Sequence, residues 1–217
     1  MSKHPRIRTQ TIFVVLVLAL FSSACSLAPL SPRDAASSVG QGVVKIDTNY
    51  LPATALNTSY GLSDNLDVGV DIENVTLLTT WTRYSFLNNR ETGVSLAATG
   101  GVFTSNNRHH SNGTYIGALA SYRNNKRVEW TAGYRYNRVS YEPDNYDNDY
   151  GWLTVNHVHN REDLSATGQL SASAAIRLKP HLQLTVGAIC QYHYNNRSPR
   201  IDSDVCFPLL GLSFFSN

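Results

Sequence analysis

The sequence predicts an all-β fold, an up-and-down antiparallel barrel of about ten strands, and three observations predict it. Apolar and polar residues alternate with period two through most of the chain after Gly42, where no helical period stands out. The alternating stretches are long, many reaching ten residues or more, whereas ordinary strands average about five or six. The connections between them also alternate, short turns with longer polar loops.

The elements follow in chain order. Residues 1–24 read as a signal peptide: Lys3, Arg6 and Arg8 precede an unbroken apolar run from Ile12 to Phe21. That run is too short for a helix that crosses a bilayer core of roughly 30 Å. Residues 25–42, rich in Ser, Ala, Pro and Gly, read as a flexible tether. Residues 43–217 suffice for one domain. Its strand candidates are 43–49, 54–63, 66–74, 75–87, 92–104, 114–124, 128–141, 164–178, 182–194 and 205–215. The alternation is clearest in 66–74, with Leu66, Val68, Val70 and Ile72 on one face and Asp67, Gly69, Asp71 and Glu73 on the other. The faces of 182–194 divide the same way, Leu184 and Val186 against Gln183 and Thr185. The count is eight if the first two segments stand outside the barrel.

Turns at 63–65, 88–91, 124–127 and 179–181 are short, and loops at 104–113, 143–163 and 195–204 are long and polar. Short turns on one side and long loops on the other are the outer-membrane pattern. Tyr60-Gly61-Leu62-Ser63-Asp64-Asn65-Leu66-Asp67-Val68-Gly69 resembles the strand–turn–strand unit of small outer-membrane β-barrel proteins of Gram-negative bacteria. The tail Leu210-Gly211-Leu212-Ser213-Phe214-Phe215 is similar to their C-terminal aromatic assembly signal. Ser22-Ser23-Ala24-Cys25 resembles the lipobox of bacterial lipoproteins, whose cysteine takes a diacylglycerol and becomes the new amino terminus. The resemblance implies lipid attachment at Cys25, with palmitate-type chains. Ser26, in a position where Asp favours the inner membrane, implies the outer membrane. The implied partners are outer-membrane lipids and the lipoprotein-processing and barrel-assembly machinery.

The whole chain carries 18 Lys and Arg against 16 Asp and Glu. Loss of the leader's three basic residues leaves 15 against 16, and with no basic run nothing points to nucleic acid. Lys45, Asp67, Asp71, Glu73, Glu129, Arg135 and Arg177 are expected to share the lumen and neutralise one another, because an unpaired charge there is costly. Cys190 and Cys206 share the parity of the apolar face, and a hairpin centred on Ser198-Pro199 opposes them, so a disulfide is expected; two free thiols are the alternative.

Catalytic and metal chemistry find little support. His193-Tyr194-Asn195-Asn196 loosely resembles the His-x-Ser-Asn stretch of outer-membrane lipid A deacylases, but Asn195 stands in the nucleophile's place. Carboxylates at alternate positions in 144–151 do not fit an EF-hand, and His109-His110 and His157-x-His159 are weak metal sites. No cofactor and no metal are expected. The functional expectation is a non-enzymatic outer-membrane barrel lipoprotein, structural or binding through its extracellular loops. The alternative is a lipid-tethered periplasmic barrel of the lipocalin kind with an apolar ligand inside, and an outer-membrane lipid-modifying hydrolase is a remote third.

Overall fold

A computed structural model describes residues 29–30, 35–51, 53–105, 111–141, 163–194 and 201–216. Ten strands follow one another: β1 (Val44–Leu51), β2 (Ala55–Gly61), β3 (Leu66–Glu73), β4 (Leu77–Leu87), β5 (Gly93–Ser105), β6 (Ser111–Asn125), β7 (Val128–Tyr141), β8 (Asp163–Lys179), β9 (Leu182–Tyr194) and β10 (Ile201–Phe215). Each pairs antiparallel with its sequence neighbours, and β1 pairs with β10 to close the barrel. The first two segments are therefore barrel strands, and the count is ten rather than eight. Closure leaves no unpaired edge to template pairing with another chain.

Strands β6 and β10 extend further toward the loops than the alternation suggested, starting at Ser111 and Ile201 rather than 114 and 205. Both added stretches are polar, so hydropathy alone gave them no strand signature. The connections β2–β3, β4–β5, β6–β7 and β8–β9 define a short-turn end, where β1 begins and β10 finishes. The opposite, loop end is uneven. Strands β1 to β4 run 7 to 11 residues and form a low wall, whereas β5 to β10 run 13 to 17 and form a high one. At the low wall the chain reverses tightly from β3 to β4 through Asn74 (φ 50°) and Val75 (φ 64°). Thr76 N–H closes that turn on the Glu73 carbonyl at 3.2 Å.

Polar residues face inward. Asp67, Asp71, Gln183 and Thr185 are buried, while Val70 and Val186 are exposed. Among the described residues that alternate outward along the strands, Arg138, near the loop end of β7, is the one charged side chain. Tyr60, Tyr84, Phe86, Tyr122, Trp130 and Phe214 point outward within three residues of the short-turn ends of their strands. They form an aromatic girdle of the kind that sits at a membrane–water boundary.

Candidate functional site: a lumen filled by the N-terminal segment

A ten-stranded barrel encloses a narrow interior, and its inward side chains must fill it or pair within it. On the lumen side of the strands, Lys45, Arg83, Arg123, Arg135 and Arg177 stand with Asp47, Asp67, Asp71, Glu73 and Glu129. Neighbouring strands bring opposite signs together. Asp67 and Arg83 are direct register partners on β3 and β4; Arg83 Nε and Nη2 donate to Asp67 Oδ2 at 2.9 and 2.6 Å. Arg123 and Glu129 pair across β6–β7. Lys45 Nζ lies 2.9 Å from Asp47 Oδ1, and 5.5 Å from the centroid of the Phe215 ring. Arg135 lies over the Tyr115 ring at 5.0 Å. Trp81 Nε1 donates to Asp71 Oδ1 at 2.7 Å.

Of the expected lumen charges, Lys45, Asp67, Asp71, Glu73, Glu129 and Arg135 are buried in the interior. Arg177 is not: it is exposed at the short-turn mouth, two residues from the end of β8. Its position near the end of the strand places it on the lining of the mouth cavity instead. Asp47, Arg83 and Arg123 were missed. The alternation around Arg83 is blurred because Leu77 and Trp81 share its inward face while Thr80 and Thr82 face out.

Of the segment expected to be a tether, the described residues 29–30 and 35–40 lie inside the barrel instead. At the short-turn end, Ala36 N–H donates to Ser121 Oγ at 2.7 Å, and Ser85 Oγ donates to the Ala36 carbonyl at 2.7 Å. Arg83 Nη1 donates to the Ala35 carbonyl at 2.7 Å. Ser37 Oγ donates to Glu129, and Ser38 Oγ donates to Asp67 Oδ1 at 2.7 Å. Further up, Gln169 Nε2 donates to the Pro29 carbonyl at 2.8 Å, and Leu30 N–H lies 3.0 Å from both Glu73 carboxylate oxygens. An extended segment inside a barrel cannot use a sheet ladder for its backbone groups, so lumen side chains satisfy them. The physical reason for the departure from a free tether is reciprocal: these carboxylates and hydroxyls need donors, and the segment's amides need acceptors.

Gly40 (φ 106°) and Gly42 (φ 75°) make this entry feasible. The chain descends through the lumen, turns at 40–42 and climbs again as β1, and a side chain would resist both positive φ values. Val43 N–H donates to the Gly40 carbonyl at 3.1 Å, and Gly42 N–H to the Gly61 carbonyl at 2.9 Å.

Toward the loop end, on the β4–β7 wall and level with Asp71 and Glu73, Leu77, Trp81, Phe103, Tyr115 and Val139 form a buried apolar cluster inside the lumen. Glycine makes room for it: a Cβ on Gly69 would lie 2.3 Å from the Trp81 ring. At the short-turn mouth a cavity of about 250 Å³ remains, lined by Lys45, Arg83, Arg90, Arg123, Arg177 and Glu129 together with the segment. Four of its five cations already have carboxylate partners.

Cys190 and Cys206 are register partners on β9 and β10, 4.0 Å apart at Cα and joined as a disulfide on the outer face. Cys25, the leader, His109-His110, His157, His159 and the 144–151 carboxylates lie outside the described residues. No group of three or more metal-ligating side chains occurs among the described residues.

No protein-family model and no curated protein matches this chain. Solved barrels do align with it. The N-terminal β-barrel domain of Pseudomonas aeruginosa OprF is 10% identical over 82% of this chain and 99% of that one, with a TM-score of 0.39. Neisserial surface protein A is 13% identical over 79% of this chain and 95% of its own, at 0.36. Ail, the attachment invasion locus protein of Yersinia pestis, is 12% identical over 81% and 99%, at 0.29. At such scores the fold rests on this chain's own strands and registers.

Proposed function

We propose that this chain is an outer-membrane β-barrel lipoprotein with a closed lumen, non-enzymatic, whose role is structural or binding through the loops at its high wall. One observation carries the membrane reading: an outward face that is apolar around the barrel, with Arg138 as its one described charge and an aromatic girdle at the short-turn end. A charge on that face at the bilayer midplane costs about 2–4 kcal/mol. In a lipocalin-like barrel the apolar face lines the cavity instead. The closed-lumen part is supported by the N-terminal segment and the paired charges, which leave little open bore.

Cys25 carries the lipid in this reading, and outer-membrane lipids are the first partner. A fatty-acid probe fed to cells should mark the wild type and leave Cys25→Ser unmarked. The experiment that tests the membrane reading is extraction and electrophoresis. The protein should require detergent and migrate faster unheated than boiled. Full recovery in detergent-free buffer would overturn it. In planar bilayers the refolded protein should give no porin-sized conductance steps.

A further inference from the structure

The segment inside the lumen has a direction, and the direction says where the mature amino terminus goes. Residues 35–38 touch Asp67, Ser85, Ser121 and Glu129, each within four residues of the short-turn end of its strand. Pro29 touches Gln169, ten residues above that end of β8. Leu30 touches Glu73, the last residue of β3 on the loop side. Going backwards along the sequence, the described contacts rise from the turn at Gly40 to the rim of the low wall.

We propose that the chain N-terminal to Pro29 leaves through the loop end, so that Cys25 is delivered to the opposite side of the membrane from the start of β1. Ten strand residues span about 33 Å at roughly 3.3 Å each, or about 25 Å in height at a tilt near 40°. From Pro29 to Cys25 is four residue steps, at most about 14 Å of extended chain. Four steps of chain before Pro29 are therefore too few to reach back to the short-turn end. The lumen below is also occupied by residues 35–40 and the side chains that hold them. The low wall is the outlet, since Glu73 already stands at its rim. This rests on the membrane reading above for which side is outside: with short turns in the periplasm, the lipid of Cys25 lies at the cell surface. The barrel is then threaded by its own anchor, and the seal and the anchor are one segment.

The test uses the full chain with Cys190→Ser and Cys206→Ser as the parent. Leu27→Cys is the reporter, Ser198→Cys marks the loop end and Pro180→Cys the short-turn end. Intact cells are treated with a membrane-impermeant maleimide, before and after permeabilising the outer membrane. Leu27→Cys should label on intact cells together with Ser198→Cys, at least about tenfold above Pro180→Cys. Labelling of Leu27→Cys only after permeabilisation, while Ser198→Cys labels intact cells, overturns the inference. If Pro180→Cys labels intact cells and Ser198→Cys does not, the orientation in the membrane is wrong. Threading then stands or falls on whether Leu27→Cys sides with Ser198→Cys. A second measurement is independent of the membrane. The cysteine pairs Ala36→Cys with Ser121→Cys, and Leu30→Cys with Glu73→Cys, should each form an internal disulfide, seen as joined peptides in a non-reduced digest. A lower pair that joins with an upper pair that never does would mean the segment turns back, and would overturn the inference.

Discussion

The two ends of the lumen are filled by different physics. Toward the short turns, Asp67 and Arg83 hydrogen-bond the backbone of the inserted segment, Glu129 accepts from the Ser37 hydroxyl, and Arg123 pairs with Glu129. Toward the loops, on the β4–β7 wall, Trp81, Phe103 and Tyr115 pack over glycines, with Asp71 on the Trp81 indole and Arg135 over the Tyr115 ring. A covalent tie between Cys190 and Cys206 holds the outer face of the high wall. The lower region is therefore sensitive to removal of one charge, since buried ions are stable only as sets. The upper region is sensitive to volume and to covalent closure.

The largest expected effect breaks the lower region. Asp67→Ala leaves Arg83 buried without its carboxylate, at a cost of about 3–5 kcal/mol. Guanidinium unfolding of the refolded protein in detergent micelles measures it. The double variant with Arg83→Met should recover at least half the loss. A single variant within about 1 kcal/mol of wild type would mean that the pair is not desolvated as described.

Next comes the covalent tie. Cys190→Ser should lower stability by about 3 kcal/mol in the chain-entropy estimate for a loop of this length. A non-reduced digest should yield the Cys190 and Cys206 peptides joined. Separate free-thiol peptides in wild type would remove both the bond and its stabilisation.

The apolar cluster gives a smaller effect of opposite chemistry. Gly69→Ala places a methyl against the Trp81 ring and should cost about 1–3 kcal/mol by overpacking. A shift of Trp emission together with the lost stability is the expected signature; an unchanged midpoint would show that the ring moves aside freely.

The smallest effect is a gain. Val75 is β-branched at φ 64° in the three-residue reversal 74–76, at a positive φ that favours glycine. Val75→Gly should stabilise by about 0.5–1 kcal/mol, since it exchanges a strained conformation for one glycine adopts readily. A loss of stability in the same unfolding assay would count against strain at this turn.

By itself the sequence determined the fold class, because alternation of period two with a polar face of small residues is the direct imprint of a barrel wall that is apolar on one side and faces a crowded lumen on the other. It placed β3, β7 and β9 closely, and it set the parity of Asp67, Asp71, Glu73, Glu129 and Arg135, since parity in a strand is fixed by the pleat. Strands β4 to β6 were less legible because their inward face mixes Arg83 and Ser85 with Trp81, Phe103 and Tyr115. Pairing by sign, Asp67 with Arg83 and Glu129 with Arg123, needed the cross-strand register, which no single strand encodes.

Tertiary structure alone decided the fate of residues 29–30 and 35–40. A flexible tether and a lumen-filling segment have the same composition, small side chains and unpaired backbone amides. Only the closed barrel, with its buried carboxylates and hydroxyls aimed inward, supplies the partners that distinguish the two.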